Sequence, residues 1–486
     1  MSERSTEDNR ISEHHISSLL SSADYIRFLQ DISYSLNSPS LISISLPIEK
    51  IDPLACLELL DEPEAYQYFW EKPNEDFAIA AGKSIQKITA SGKNRFKEIN
   101  QQITDTKEIA HEYSHIEHSH SGIHFLGGFS FFDDNAEGNW QSFGSASFVV
   151  PEWQIVREGQ LTLLTLNFKA SQFNSQYQLD KEVKDRFFGI CESLALNAEV
   201  ELSVPKGSNQ MPDFLTDKYA FNRWTESVSS AKELIREDKF DKIVLAREAT
   251  ISLQEELEPT HIINLLREQY PNCYSFLIRY EGSKAFLGCT PERLISFRRN
   301  FLLTEALAGS IQRGATATED AFLEKELKES SKNADEHNYV IKAIEQKLKP
   351  LVNKIERTDK PVIKKLTNVQ HLFTPITAWL KEEVNPLAIL EQLHPTPAVG
   401  GYPWEKAKPY IKKLENFERG WYAGPIGWLN SKNGGEFAVA IRSGLLDSNR
   451  ATFYAGCGIV ADSDATTEWE ETILKLRPML SALQYD

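Results

Sequence analysis

A chain of 486 residues is long enough to bury a substantial core, as one large domain or two ordinary ones. Its composition, 41% hydrophobic and 25% charged, is that of a globular protein, and a net charge of −17 excludes the basic footprint that nucleic acid or an anionic membrane surface requires. Five dispersed cysteines without CxxC spacing exclude a disulfide framework or zinc site and point to a reducing, cytoplasmic setting, and no apolar run reaches the length of a membrane span.

Residues 1–24 are expected to form a mobile polar tail; the opening MSERSTEDNRISEHH lacks the apolar segment of a secretory signal. Residues 25–213 are expected to form the N-terminal half. LISISLPIE (41–49) alternates as a strand, 122–132 and 145–168 read as antiparallel strands, and 180–199 has a helical pattern. PKGSNQMPD (205–213) is the strongest linker signal.

The C-terminal half, 214–486, opens with a helix over 217–237 and strands over 240–253, 274–282 and 283–300. One long charged helix is expected over 319–352. Strands return at 424–430, 435–447 and 451–460, and the last helix covers 466–483. Strands in hairpin-like groups with helices between them predict an α+β fold built on a large antiparallel sheet, continuous over 25–486, not a βαβ alternation.

Two local motifs fail. AAGKS (80–84) lacks the first glycine of a phosphate-binding loop, because Phe77 stands there. His111, His115, His118, His120 and His124 crowd together, and His111 and His115 could share a helix face suited to a metal; a polar connector before the strand at 122 explains them more simply.

Other residues carry chemistry. Lys242 and Glu292 each end an apolar run, giving a candidate base and a candidate acid. Glu468, Glu471 and Lys475 fall at i, i+3 and i+7 on one helix face. That face is either a solvated Glu–Lys pair or part of an oxygen-ligand set for Mg²⁺, to which Glu336 could add a third carboxylate. TEALAGSIQRG (304–314), HPTPAVGGYPW (394–404), YAGPIGW (422–428) and YAGCGIV (454–460) read as turns where backbone approaches a ligand. Arg442, inside the apolar strand AVAIRSG, demands a carboxylate of the protein or of a ligand.

From about 217 to 483 the strings DKIVLAR, TPERLISF, TEALAGSIQRG, DEHNYV, NVQHL, LHPTPAVGGYP, ERGWYAGPIGW, GEFAVAIRSG, YAGCGIV and EWEETILKL recur in order. In these the chain resembles the chorismate-utilising enzymes, and among them the isochorismate synthases. The resemblance implies a large α/β sandwich of antiparallel sheets with outer helices, and a Mg²⁺-dependent conversion of chorismate to isochorismate. It implies that Lys242 activates water for attack at C2 and that Glu292 protonates the departing C4 hydroxyl. Glu336 and Glu471 would bind Mg²⁺ directly and Glu468 through water. Tyr422, Arg442, Gly456 and Lys475 would hold the substrate carboxylates, Gly309 and Ser310 would line the pocket, and His371 would stand near the ring. Ala398 and Ile441 look like the water-using, synthase branch. Asn333 departs from the family, where an acid is frequent, which thins the outer shell of the metal site.

The resemblance further implies a monomer or weak homo-oligomer without a glutaminase subunit, serving menaquinone or phylloquinone synthesis. The alternatives are a salicylate synthase that also eliminates pyruvate, a siderophore-pathway isochorismate synthase, an anthranilate-type enzyme that would need ammonia, and a non-catalytic chorismate-binding paralogue. Retention of Lys242, Glu292, Glu336 and Glu471 together argues against the last.

Overall fold

The computed structural model describes residues 15–60, 65–134, 136–196, 217–253, 256–280, 282, 284–367, 369–382 and 384–483. The strands Gln67–Lys72, His124–Phe129, Ala285–Thr290 and Pro425–Asn430 are buried at every residue, so both of their faces are covered. A one-sided sheet would alternate; continuous burial means layers on either side, as in a sandwich.

Two runs of paired strands share Ala146–Glu158 and Phe77–Ala90. One passes from Phe77–Ala90 through Gln67–Lys72 to Tyr274–Arg279, Ala285–Thr290, Ser443–Asp447, Arg450–Ile459 and Lys242–Ser252. The other passes from Ala146–Glu158 through His124–Phe129 to Pro425–Asn430, Gly434–Val439, Arg293–Arg298, Phe301–Gln312 and Val369–Leu380. Both therefore cross between the N-terminal and C-terminal halves by hydrogen-bonded strands, at Trp70 opposite Phe276 and at Gly127 opposite Gly427. A Cβ on Gly127 would strike the Ser147 carbonyl of the neighbouring strand Ala146–Glu158, and one on Gly427 the Glu436 carbonyl of Gly434–Val439, so each glycine lets its own strand pack closely on its other neighbour. The pairing of Leu41–Ile48 with Ala110–Ser114 is parallel; the other pairings named are antiparallel.

Large side chains fill the layers, among them Trp70, Trp140, Trp421 and Phe129, each worth about 1.5–3 kcal/mol of burial. A second apolar body gathers Ile44, Phe69, Leu287 and Phe453 with Ile16, Leu19 and Leu20. Ile16, Leu19 and Leu20 are thus packed inside the segment expected to be a mobile tail; residues 1–14 lie outside the described residues, as does the expected linker 205–213. Among the described residues no helix is long and apolar enough to cross a membrane.

Four expectations need correction. The charged segment 319–352 is two helices, Ala317–Glu329 and Ser331–Leu348, followed by the strand Val352–Arg357. Ser330 adopts an extended conformation between the helices, and its side chain accepts a hydrogen bond from the Asn333 amide, capping the second helix. TEALAGSIQRG is not a turn but lies largely in the strand Phe301–Gln312, where its glycine supplies a bulge, with Gly309 at φ +73° between register positions Ala308 and Ser310; YAGCGIV, also read as a turn, lies largely in the strand expected over 451–460, Arg450–Ile459. Arg442 is not inside a strand: it stands at φ +50° in the break between Gly434–Val439 and Ser443–Asp447. The histidine-rich connector contains a strand, Ala110–Ser114, and His120 and His124 are buried beside Trp428. AAGKS lies within the strand Phe77–Ala90.

Candidate active site

A cavity of about 760 Å³ opens in the C-terminal half, and every site residue singled out from the sequence lines it. Lys242 enters from the first position of its strand, where Nζ donates to Glu336 Oε1 at 2.5 Å. The neighbouring strand leaves room for it through Gly458: a Cβ there would lie 2.6 Å from Lys242 Cε. Burial opposes ionisation of Glu336, yet the Lys242 ammonium together with Lys475 and Lys332 outweighs it and holds the carboxyl below its ordinary range.

Glu292 enters from the short turn between Ala285–Thr290 and Arg293–Arg298. Its backbone is fixed by Val439 N–H donating to the Glu292 carbonyl at 3.0 Å and by its own N–H donating to Thr290 Oγ1 at 3.3 Å. Its carboxyl accepts from the Thr396 hydroxyl at 3.4 Å. Burial pushes its pKa up to about 7, with the Thr396 hydrogen bond opposing and the charge of Glu305 adding to the rise. A carboxylic acid still protonated near neutral pH is equipped to donate a proton.

The last helix, Ala465–Ala482, brings Glu468, Glu471 and Lys475 to the cavity, with Lys475 Nζ 2.7 Å from Glu471 Oε1 and donating to the Gly456 carbonyl at 2.9 Å. Glu468 is raised by burial and by the neighbouring Glu471. Glu336, Glu468 and Glu471 form an all-oxygen donor set around a pocket that contains two mutually repelling carboxylates, which fits a hard cation such as Mg²⁺ that keeps several waters. Among the described residues no three acidic, histidine or cysteine side chains already stand in a metal-binding cluster, because Glu336 is turned to Lys242 and Glu471 to Lys475.

Arg442 is buried, and its Nη1 has no hydrogen-bond partner among the described residues. A buried guanidinium donor left in this way is costly unless an anion meets it. Ser310 Oγ lies 2.7 Å from His371 Nδ1, Nε2 has no partner among the described residues, and burial with the positive charge of Arg442 and Lys475 lowers the His371 pKa to about 3, so the imidazole is neutral. Tyr422 is a neutral phenol, pushed up to about 12 by burial. Gly309, Ala398 and Gly456 contribute backbone and small surfaces. The arrangement joins an amine, a protonated carboxyl, anion-binding cations and a carboxylate set in one pocket.

Three residues that shape the cavity escape the sequence reading. Thr396 bonds to Glu292, but a lone threonine in a loop has no pattern to mark it. Gly458 could have been found from the strand period, since it lies two residues beyond Gly456 and so faces the same side. Arg419, within ERGWYAG, is wholly buried with Glu415 and donates to the carbonyls of Val399 and Val244, tying the Ala398 loop to the Lys242 strand.

The family model for chorismate binding enzymes matches residues 27–484. The chain is 35% identical to isochorismate synthase MenF of Bacillus subtilis, over 92% of this chain and 94% of that protein. It is also 35% identical to the salicylate biosynthesis isochorismate synthase of Pseudomonas aeruginosa, over 92% and 91%. Among solved structures it superposes on MenF, the menaquinone-specific isochorismate synthase of Escherichia coli, with a TM-score of 0.76 at 25% identity, covering 96% of this chain and all of that one. With a matched model spanning nearly the whole sequence and relatives aligned almost end to end, the chain belongs to the chorismate binding enzyme family.

Proposed function

We propose that the protein is an isochorismate synthase that uses Mg²⁺ and serves quinone synthesis. The observation that carries the reading is the convergence of Lys242 and of Glu292, with its pKa raised to about 7, on one cavity that also holds Arg442, Lys475 and three carboxylates. Relatives named as isochorismate synthases support the reaction, and the relatives named MenF support the pathway.

In this mechanism Lys242, released from Glu336 and in its neutral form, takes a proton from water as the water oxygen bonds to C2. The ring double bond shifts, and the C4–O bond breaks as Glu292 gives its proton to the departing hydroxyl, which leaves as water. One water enters and one leaves, so no redox partner is needed. Positioned acid and base groups typically contribute about 10²–10⁴-fold each. Arg442, Lys475 and the Tyr422 hydroxyl hold the two substrate carboxylates and fix the ring between amine and acid. Glu336, Glu468 and Glu471 would hold the Mg²⁺, which when bound neutralises a substrate carboxylate and adds to its orientation. Asn333 and Lys332 line the cavity beside Glu336.

The test is incubation of purified protein with chorismate and Mg²⁺, with products separated by chromatography. Isochorismate is expected, and incubation started from isochorismate is expected to return chorismate. Salicylate with pyruvate as the main product would replace this reading by the pyruvate-eliminating one, and unchanged chorismate would sink it.

A further inference from the structure

Behind Glu292 lies a cluster of ion pairs that does not touch the substrate cavity through its charged atoms. Arg293, the next residue, turns away from the cavity: its guanidinium meets Glu436 at 2.8 Å, Glu305 at 3.0 Å and Glu75 at 2.8 Å. Glu305, from the strand Phe301–Gln312, is buried and uses its other oxygen to accept from Lys364 Nζ at 3.0 Å. Lys364 comes from the short strand Val362–Lys365, and the same ammonium donates to the Pro291 carbonyl at 3.2 Å. Pro291 is the residue immediately before Glu292. One lysine therefore both grips the backbone of the turn that carries the carboxyl and sits against Glu305, an acidic group that bears on it from behind.

We infer that Lys364 and Glu305 are a positioning pair for Glu292, Lys364 anchoring its turn through the Pro291 carbonyl and the two opposed charges together setting how readily its carboxyl holds a proton. The inference rests on Glu292 being the acid of the proposed reaction. The charged groups that act on Glu292 from the elements around it are Glu305, which disfavours its ionisation, and Lys364 and Lys475, which favour it. Lys475 belongs to the substrate-holding set; Lys364 and Glu305 have no such duty. The two members of the pair thus act on Glu292 in opposite directions, so that removing either one should shift its protonation the opposite way from removing the other. Lys364 is partly exposed, at 18% for its side chain, so its replacement leaves no uncompensated charge deep in the protein except that of Glu305, which keeps Arg293.

The experiment compares the full-length parent with Lys364→Met, Lys364→Arg and Glu305→Gln. The protonation of Glu292 is read by infrared difference titration of its carboxyl band, identified by its loss in Glu292→Gln, and the alkaline limb of kcat/KM for chorismate is read alongside. Lys364→Met should move the Glu292 midpoint upward and Glu305→Gln downward, each by about 0.5 unit or more. Lys364→Arg should return it toward the parent, and the alkaline limb should follow in each case. Should Glu305→Gln fold poorly, the upward shift in Lys364→Met with rescue by arginine suffices. Midpoints that stay put, or that move the same way on removal of either charge, overturn the pairing. Midpoints that move as expected while the kinetic limb stays fixed uphold the pair and remove Glu292 from the role of acid, so the two readings fail separately.

Discussion

Glu292 is buried and accepts one long side-chain hydrogen bond, from Thr396, and both facts set its cost as well as its use. Its carboxyl has an ordinary pKa of 4.5 and a folded one of about 7. A group raised on folding contributes stability that is complete below its unfolded value and is lost as pH rises through the folded value. Glu292→Gln should therefore lose about 10²–10⁴-fold in kcat, yet raise Tm at pH 8 by an amount worth roughly 2–4 kcal/mol, with no gain at pH 4. Parallel melting curves at the two pH values check this; equal gains at both would contradict the burial account. The same protonation predicts a parent kcat/KM that declines above about pH 7. Lys242→Ala should bind chorismate in calorimetry and fail to turn it over, and isochorismate formed at the parent rate would remove Lys242 from the role of base. Lys242 and Glu292 could be picked out in the sequence because each sits in a specific string at the end of an apolar run. What surrounds them could not: the Lys242–Glu336 pair spans 94 positions, and no local pattern announces an ion pair at that separation.

Glu336 owes its place to an element boundary that composition conceals. The segments 319–329 and 331–349 on either side of Ser330 are both charged, helix-favouring and free of Gly or Pro, so the run from 319 to 352 reads as one helix. The break is made by one side chain, the Ser330 hydroxyl accepting from the Asn333 amide at 3.2 Å, and it restarts the helix so that Glu336 stands near its beginning. Ser330→Ala should cost about 1 kcal/mol, as loss of such a cap does, and should loosen the first turns of Ser331–Leu348. Faster amide hydrogen exchange over residues 331–336, with the sheet strands unchanged, is the expected result, along with weaker binding of Mg²⁺ if Glu336 is one of its ligands as proposed. Protection unchanged in those turns would mean that packing of Val340, Ile341 and Ile344, not the cap, holds the helix. Strands were easier to read than this boundary because hydrophobic alternation is local, as in Leu41–Ile48, whereas the strand Phe301–Gln312 was hidden by small residues whose purpose is the bulge at Gly309.

At the scale of the whole molecule, a sheet closed between two halves buries polar groups that composition never flagged. The antiparallel α+β class followed from the hairpin-like grouping of strands, but the joining of the halves did not, because Trp70–Phe276 and Gly127–Gly427 are contacts across hundreds of residues. The histidines of the N-terminal half record that joining. His124 is wholly buried and lowered to about 4, chiefly by desolvation; His120, beside it, is lowered to about 2 by desolvation and by the neighbouring histidines. His394, whose Nε2 lies 3.0 Å from the Phe131 carbonyl of the other half, is lowered to about 3 for the same leading reason. Each has an ordinary value of 6.5, so below that pH the unfolded chain binds protons that the folded chain refuses. Their contribution to stability is complete above pH 6.5 and drains away as the pH falls toward the folded values, by roughly 1–2 kcal/mol apiece at pH 5. The protein should therefore melt at markedly lower temperature at pH 5 than at pH 7, and His120→Phe should reduce that difference, since a ring of similar shape between Phe77 and Trp428 has nothing to protonate. Circular dichroism melts of parent and variant at both pH values decide it: a parent Tm that holds from pH 7 to pH 5 would show that these rings reach solvent, and that the halves part where the sheet has them joined.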